Sequence, residues 1–141
     1  MCARARRGGL AAAKVFETLS AMMQRQAARH ACDVLAACLM PDHMHVTLRG
    51  TDDSADAWAA AVRFKQQTGV WFARKAPHIR WQKDFYDHIL RRDEDLPRYV
   101  RYILENPVRA GLTEDWREYE CSYAHPELGL GKDPPPATTA D

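Results

Sequence analysis

Two histidines separated by one residue, His43 and His45, are the clearest candidates for chemistry in this chain. A strand places alternate side chains on the same face, so both imidazoles would point one way while Met44 turns into the core. Two neutral imidazoles on one face can share a divalent metal ion. A pair of solvent-facing histidines is the commoner explanation of this spacing taken alone. Asp42 could reach the same metal or could simply favour a turn.

Tyr102 and Asn106 form a second candidate pair, four residues apart beside an apolar stripe. Side chains at this spacing lie along the same face of a helix. A tyrosine phenol, with a reference pKa of about 10, becomes a covalent nucleophile when a nearby metal or base assists its deprotonation. Packing against the stripe is the simpler role for such a tyrosine. Tyr99 fits the same description as Tyr102. Asparagine is also common at helix ends.

Basic side chains are interleaved with aromatic ones between residues 63 and 109. Such a mixture can hold a phosphate backbone by charge and stack unpaired bases on its rings, although any single member is more often surface charge. The members that we predict to contact DNA are Arg63, Lys65, Arg80, Lys83, Arg91, Arg92 and Arg101. The basic members without an assigned role are Arg74, Lys75, Arg98 and Arg109.

The chain has 141 residues, of which 46% are hydrophobic and 28% are charged, as in an ordinary globular domain. This length suits one domain with its own core and excludes a multidomain protein. The formal net charge is +1, but residues 1–30 and 63–109 each carry +5, whereas residues 31–62 carry −4 and residues 110–141 carry −5. Segregated basic charge suits a polyanion-binding face, although scattered solvated charge gives the same count.

The apolar runs are all far shorter than the roughly 20 residues that a membrane span needs, and none near the start suits a signal peptide. We therefore expect a cytoplasmic protein that does not associate with a membrane. The four cysteines show no paired C-x-x-C spacing, so we expect them to be reduced, buried thiols. They are Cys2, Cys32, Cys38 and Cys121.

Apolar periodicity predicts the elements that position the candidate residues. Helical spacing indicates a first helix over about residues 10–30 and a second over about residues 55–75, with Asp52, Asp53 or Ser54 as its cap. Between them, a buried strand over residues 34–40 and an alternating strand over residues 43–49 form a hairpin. A further strand is predicted at residues 86–91. A third helix over residues 95–105 should end at Asn106, because Pro107 follows, and a loop should continue through Gly111.

These elements predict an α+β fold in which an antiparallel sheet is covered on one face by helices. We divide the chain into an irregular basic N-terminus over residues 1–9, a folded domain over residues 10–125 and a disordered tail over residues 126–141. The tail contains three consecutive prolines and almost nothing to bury.

Three separated motifs resemble the single-tyrosine HUH transposases, and within them the REP-associated tyrosine transposase branch. The motifs are Met40-Pro-Asp-His-Met-His-Val-Thr-Leu48, Trp81-Gln-Lys-Asp-Phe-Tyr-Asp-His-Ile-Leu-Arg91 and Tyr102-Ile-Leu-Glu-Asn-Pro-Val-Arg-Ala-Gly-Leu112. Three motifs in the right order are far more specific than any one of them, and the resemblance covers about residues 10–125. It implies a ferredoxin-like HUH nuclease fold.

The resemblance also implies an activity, that of a single-stranded DNA endonuclease and strand transferase acting at palindromic hairpins through a 5′-phosphotyrosyl intermediate. His43 and His45 match the histidines of the HUH motif, Tyr102 matches the nucleophile, and Asn106 matches the third metal ligand of this branch. The implied cofactor is Mg²⁺ or Mn²⁺, and the implied partner is single-stranded or hairpin DNA. A monomer and a homodimer both agree with the resemblance.

One departure concerns the strand that the family places before the first helix. Residues 1–9 are rich in Arg and Gly and show no alternation, so we expect this strand to be missing. The family chemistry would then be reduced or lost if this is the whole chain. Two alternatives stay open: a catalytically decayed or domesticated protein that binds DNA hairpins, and a structural zinc protein. The zinc protein would use His43, His45 and either Cys38 or Cys32, but no spacing supplies the usual four ligands.

Overall fold

The computed structural model describes the backbone of residues 3–5 and the whole of residues 13–81 and 96–130. The strand predicted at residues 86–91 lies outside these ranges. The helices and strands are β1 (Ala3–Ala5), α1 (Ala13–Arg29), β2 (Cys32–Leu39), β3 (Met44–Gly50), α2 (Ala57–Lys75), β4 (Ile79–Trp81), α3 (Leu96–Leu104), α4 (Asn106–Arg109) and β5 (Ser122–Ala124). Single turns of 3₁₀ helix lie before and after β5, at Trp116–Glu118 and Pro126–Leu128.

The first two helices form where their apolar periodicity predicts them. α2 begins after its N-cap Asp56, whose side chain accepts a hydrogen bond from the backbone N–H of Ala59. The predicted caps therefore lie too early in the chain. Asp52 instead accepts a hydrogen bond from the N–H of Ser54 and stabilises a turn before the helix. No helix in the described ranges is both long and apolar enough to cross a membrane.

The predicted hairpin is formed by β2 and β3, which pair antiparallel. Cys38 lies opposite His45, and one register shift interrupts the pairing just before Ala36. The hairpin turn is closed by the backbone N–H of Met40, which donates to the carbonyl of His43 over 2.7 Å. The hairpin thus delivers both candidate histidines at the start of β3.

β5 is a strand that sequence patterning does not reveal. It pairs antiparallel with the other side of β2, with Ala36 opposite Ala124 and Cys38 opposite Ser122. The resulting sheet has the strand order β3-β2-β5. With only three residues, β5 is too short to show a period of two.

Both faces of β2 are buried, which explains why its sequence is almost continuously apolar. Val34 and Leu39 belong to a core shared with α1 and α2. Leu35 and Ala36 belong to a second core with α3 and Trp116. The α+β sheet is therefore covered on both faces, and the expectation that helices lie on one face only is wrong. A strand with apolar side chains on both sides needs a packing partner on each side.

A strand does precede α1, so the expectation that it is missing is wrong. Ala3–Ala5 pairs antiparallel with Ile79–Trp81 in a two-stranded sheet. Within the described residues this small sheet shares no strand with β3-β2-β5. Three residues cannot show an alternating pattern, which is why residues 1–9 gave no strand signal.

The folded region continues past the predicted domain boundary at residue 125. Glu127 Oε2 accepts a 3.2 Å hydrogen bond from Nη2 of Arg49, and Leu128 and Leu130 pack against the core that includes α3. Residues 126–130 are therefore ordered rather than part of a disordered tail. The rest of the predicted tail, residues 131–141, lies outside the described ranges.

Candidate active site

The hairpin of β2 and β3 presents its histidines to the side of the sheet that carries α3. Met44 is fully buried in the core formed with α1 and α2, so the strand alternation directs His45 and Thr47 to the opposite side. The rings of His43 and His45 meet edge to face, with centroids 4.7 Å apart and planes at 88°. The structure thus brings the two predicted metal ligands together.

Asp42 orients the first of these imidazoles. Its Oδ1 atom lies 2.5 Å from Nδ1 of His43, although the carboxylate itself is largely exposed. A carboxylate on Nδ1 fixes the orientation of the ring and leaves Nε2 for another partner. Asp42 therefore acts on the imidazole here, rather than only on the turn.

His45 is held in its neutral form. Burial lowers its pKa to about 4, and the neighbouring charges of His43 and Arg109 act in the same direction. At neutral pH the ring therefore keeps an unprotonated nitrogen, which is the form that binds a cation.

α3 is attached to the sheet through Val100 and Leu104, each 1% exposed, whereas the side chain of Tyr102 is 60% exposed. The helix ends at Leu104, one residue before the end of the predicted range. Asn106 then begins the short helix α4 instead of the predicted loop, because Pro107 is accepted in the first turn of a helix. The amide side chain of Asn106 makes no hydrogen bond with any other residue that the structure describes, so it is available as a ligand.

Arg109 is a site residue to which sequence reasoning assigned no role. Its guanidinium carbon lies 4.0 Å from the centroid of the Tyr102 ring. Its Nη2 atom donates a 2.7 Å hydrogen bond to the backbone carbonyl of Tyr102. The charge of Arg109 also contributes to the lowered pKa of His45. The one signal of Arg109 in the sequence is its position seven residues after Tyr102, about two helical turns along the same face.

The predicted DNA-binding residues do not form one surface in the described part of the chain. Arg63 and Lys65 lie on α2, on the opposite side of the sheet from α3. Arg80 is exposed on β4. Arg101 lies on α3 but is turned about 100° from Tyr102 and lines a cavity whose rim is partly acidic. Three further predicted contacts lie outside the described residues: Lys83, Arg91 and Arg92.

The cysteines near the histidines do not complete a metal cluster. The thiol of Cys38 contacts the sulfur of Met40 at 3.9 Å, and that of Cys32 donates to the carbonyl of His30. Within residues 13–81 and 96–130, no three His, Cys, Asp or Glu side chains are placed to hold a metal ion. This part of the chain therefore gives the structural zinc alternative no support. A site of two imidazoles and one amide oxygen would be of a different kind, because asparagine is not one of these four residue types.

This chain is similar to curated proteins and to a solved structure. Two curated relatives are named as REP-associated tyrosine transposases. The Haemophilus influenzae protein is 26% identical over 111 residues, which cover 68% of this chain and 61% of the relative. The Escherichia coli K12 protein is 29% identical over 102 residues, which cover 70% of this chain and 58% of the relative. The chain thus spans about three fifths of the length of these relatives.

A solved structure of a REP-associated tyrosine transposase bound to a REP hairpin has the same fold. It superimposes with a TM-score of 0.73 at 24% sequence identity and covers 99% of this chain and 82% of the other chain. This likeness confirms the α+β HUH architecture. The model of the family described as "Transposase IS200 like" matches residues 1–106, about three quarters of the chain. The resemblance carried by the three sequence motifs is confirmed, and the chain belongs to the IS200-like transposase family.

Proposed function

We propose that this protein is a single-stranded DNA endonuclease and strand transferase whose nucleophile is Tyr102. The observation that carries the proposal is that α3, which bears Tyr102, packs on the side of the sheet to which His45 is directed, with Arg109 stacked on the ring of Tyr102. Membership of a transposase family supports DNA as the substrate.

In the proposed step, the phenol oxygen of Tyr102 attacks the scissile phosphorus in line with the departing 3′ oxygen. An O–P bond to tyrosine forms, and the P–O3′ bond breaks. The phenol gives up its proton and the 3′ oxygen gains one, so the products are a 5′-phosphotyrosyl link and a free 3′-hydroxyl. Because the link keeps a phosphodiester, a 3′-hydroxyl of another strand can reverse the step and join DNA without a nucleotide cofactor.

We propose His43, His45 and Asn106 as the ligands of a divalent cation, Mg²⁺ or Mn²⁺. The residues suit this role. His45 is neutral at pH 7, Asp42 engages only Nδ1 of His43, and the amide of Asn106 has no partner among the described residues. Two imidazole ligands favour Mn²⁺ over Mg²⁺. Such an ion, when bound, would polarise the scissile phosphate and offset negative charge in the transition state.

The substrate that we propose is a DNA hairpin with single-stranded flanks. The similar solved protein is bound to a REP hairpin, and we extend that partner to this chain. A cytoplasmic location is part of the same proposal, and the buried thiols of Cys32, Cys38 and Cys121 agree with a reducing compartment. Both a monomer and a homodimer are compatible with it.

The test incubates the full chain with palindromic single-stranded DNA and Mn²⁺ or Mg²⁺, followed by a denaturing gel. We expect a protein-linked DNA product. Tyr102→Phe removes the attacking oxygen and should abolish this product. Tyr99→Phe is the matched control, because Tyr99 lies on the same helix about one turn earlier and is also exposed.

Two results would redirect the proposal. A covalent product that persists in Tyr102→Phe would reject this nucleophile. Hairpin binding that survives His43→Ala and His45→Ala, with no covalent product in either metal, would identify the alternative: a protein that binds DNA hairpins without cutting them.

A further inference from the structure

Tyr102 and Arg109 form a stacked pair in which the arginine also bonds to the tyrosine backbone. We propose that Arg109 is a positioning residue whose planar guanidinium holds the phenol of Tyr102 in place at the end of α3. The inference deepens the proposed function, and it rests on that function only for the role of Tyr102 as the nucleophile.

The exposure of Tyr102 is the reason that it needs such a partner. With 60% of its surface open to solvent, the side chain has few packing neighbours to select one rotamer. Exposed side chains exchange rotamers within nanoseconds, whereas an in-line attack needs the oxygen held close to the phosphorus. Stacking on one face of the ring restrains it and leaves the rest of the ring accessible.

α4 holds the backbone of Arg109 in a fixed position for this contact. The backbone N–H of Arg109 donates to the carbonyl of Glu105 over 3.0 Å, and Pro107 anchors the turn in the protein interior. From this position the side chain reaches back to the carbonyl of Tyr102, in the last turn of α3, where carbonyls lack a complete set of helical partners. Arg109 therefore caps α3 and covers the tyrosine ring at the same time.

No carboxylate within residues 13–81 and 96–130 forms an ion pair with Arg109. Among the ion pairs of the described residues, arginines pair at Arg49 and Arg117, and Arg109 is in none of them. Within the described residues, the guanidinium therefore contacts Tyr102 through both its ring and its backbone carbonyl.

Three variants separate position from charge. Arg109→Gln removes both the cation and the planar stack. Arg109→Lys keeps the charge but has no planar group to lie on the ring. Arg117→Gln is the matched control, because Arg117 stacks on Trp116 at 4.9 Å and lies outside the candidate site.

The first measurement needs neither DNA nor metal. The full chain is labelled with 3-fluorotyrosine, and Tyr102→Phe identifies the Tyr102 signal among the five tyrosines by ¹⁹F NMR. We expect Arg109→Gln and Arg109→Lys to shift and sharpen this signal, because the ring becomes mobile. Arg117→Gln should leave it unchanged. A Tyr102 signal that is the same in Arg109→Gln and in the native protein overturns the inference, whether or not the protein cuts DNA.

The second measurement is the rate of covalent product formation in a single turnover at saturating hairpin DNA. We expect both Arg109 variants to lower this rate by about 10- to 100-fold, as misplacement of a reacting group does, with little change in the hairpin Kd. A native rate in Arg109→Gln, or full rescue by Arg109→Lys, would overturn the positioning role. No product from the native protein would refute the proposed function, and the fluorine result would then decide the inference by itself.

Discussion

The hydroxyl of Tyr119 donates a 2.6 Å hydrogen bond to the backbone carbonyl of Leu39, the last residue of β2. Four residues further on, the chain reaches the candidate ligand His43. The pKa of Tyr119 lies well above its ordinary value, chiefly because of burial, so the phenol remains a donor at physiological pH. This bond ties the segment before β5 to the strand that leads into the histidine turn.

Tyr119→Phe should therefore lower the free energy of unfolding by about 1 kcal/mol, the usual net value of such a hydrogen bond. Urea denaturation measures this loss. Tyr102→Phe serves as the control, because the Tyr102 hydroxyl is exposed and makes no hydrogen bond to a described residue, so its loss should stay below about 0.5 kcal/mol. Equal losses in the two variants would show that the Tyr119 bond contributes nothing.

Leu104→Ala should destabilise the protein by about 2–5 kcal/mol, because it leaves a cavity between α3 and the sheet. Leu104 is 1% exposed in the core with Leu35 and Trp116. Thermal or urea unfolding provides the measurement, and Leu112→Ala, at a position 48% exposed, provides the control. A loss as small as that of Leu112→Ala would mean that α3 is not held by this contact.

His43→Ala should weaken Mn²⁺ binding at least as much as the loss of an outer partner of a metal ligand does, about 10- to 100-fold. Isothermal titration calorimetry with Mn²⁺ alone measures the effect without DNA. His78→Ala is the control, because His78 is exposed in the turn before β4. Unchanged Mn²⁺ affinity in His43→Ala would remove His43 from the proposed ligand set.

The lowered pKa of His45 predicts how stability depends on pH. In the unfolded chain this imidazole takes up a proton near its ordinary pKa of 6.5, whereas in the folded protein it stays neutral until about pH 4. Between these values the unfolded state binds more protons, so the free energy of unfolding falls as the pH falls. Above about pH 6.5 both states are neutral at His45, and the effect is absent.

His45→Gln should remove this component of the pH dependence. Urea unfolding of metal-free native protein and variant at about pH 7 and about pH 5 gives the comparison. We expect the native protein to lose more stability than the variant on acidification, since carboxylates contribute alike to both. Parallel losses would show that His45 titrates normally in the folded state.

Local patterning predicted the elements of the site because each extends over at least two periods. The alternation after Pro41 placed His43 and His45 on one face, and helical spacing placed Tyr102 and Asn106 on another. Periodicity could not predict that β3 and α3 lie on the same side of the sheet, because a long stretch of chain separates them. The motif resemblance supplied that expectation.

The elements that sequence patterning missed are short or lie beyond a proline. β1 and β5 have three residues each, too few for any period to appear. α4 begins with Asn106-Pro107, a dipeptide that typically marks the end of a helix and here starts a new one. Arg109 was overlooked for the same reason, because its relation to Tyr102 depends on the chain remaining helical past Pro107.

The sequence by itself determined which residue types are present at which spacing, and hence the α+β class, the histidine strand, the tyrosine helix and the family. Only the tertiary structure decided that α3 lies across the sheet from α1 and α2, and that Arg109 lies on Tyr102. The reason is physical: side-chain periodicity reports which face of an element is buried, but not which partner covers it. That choice depends on how all the apolar faces of the chain can be buried together.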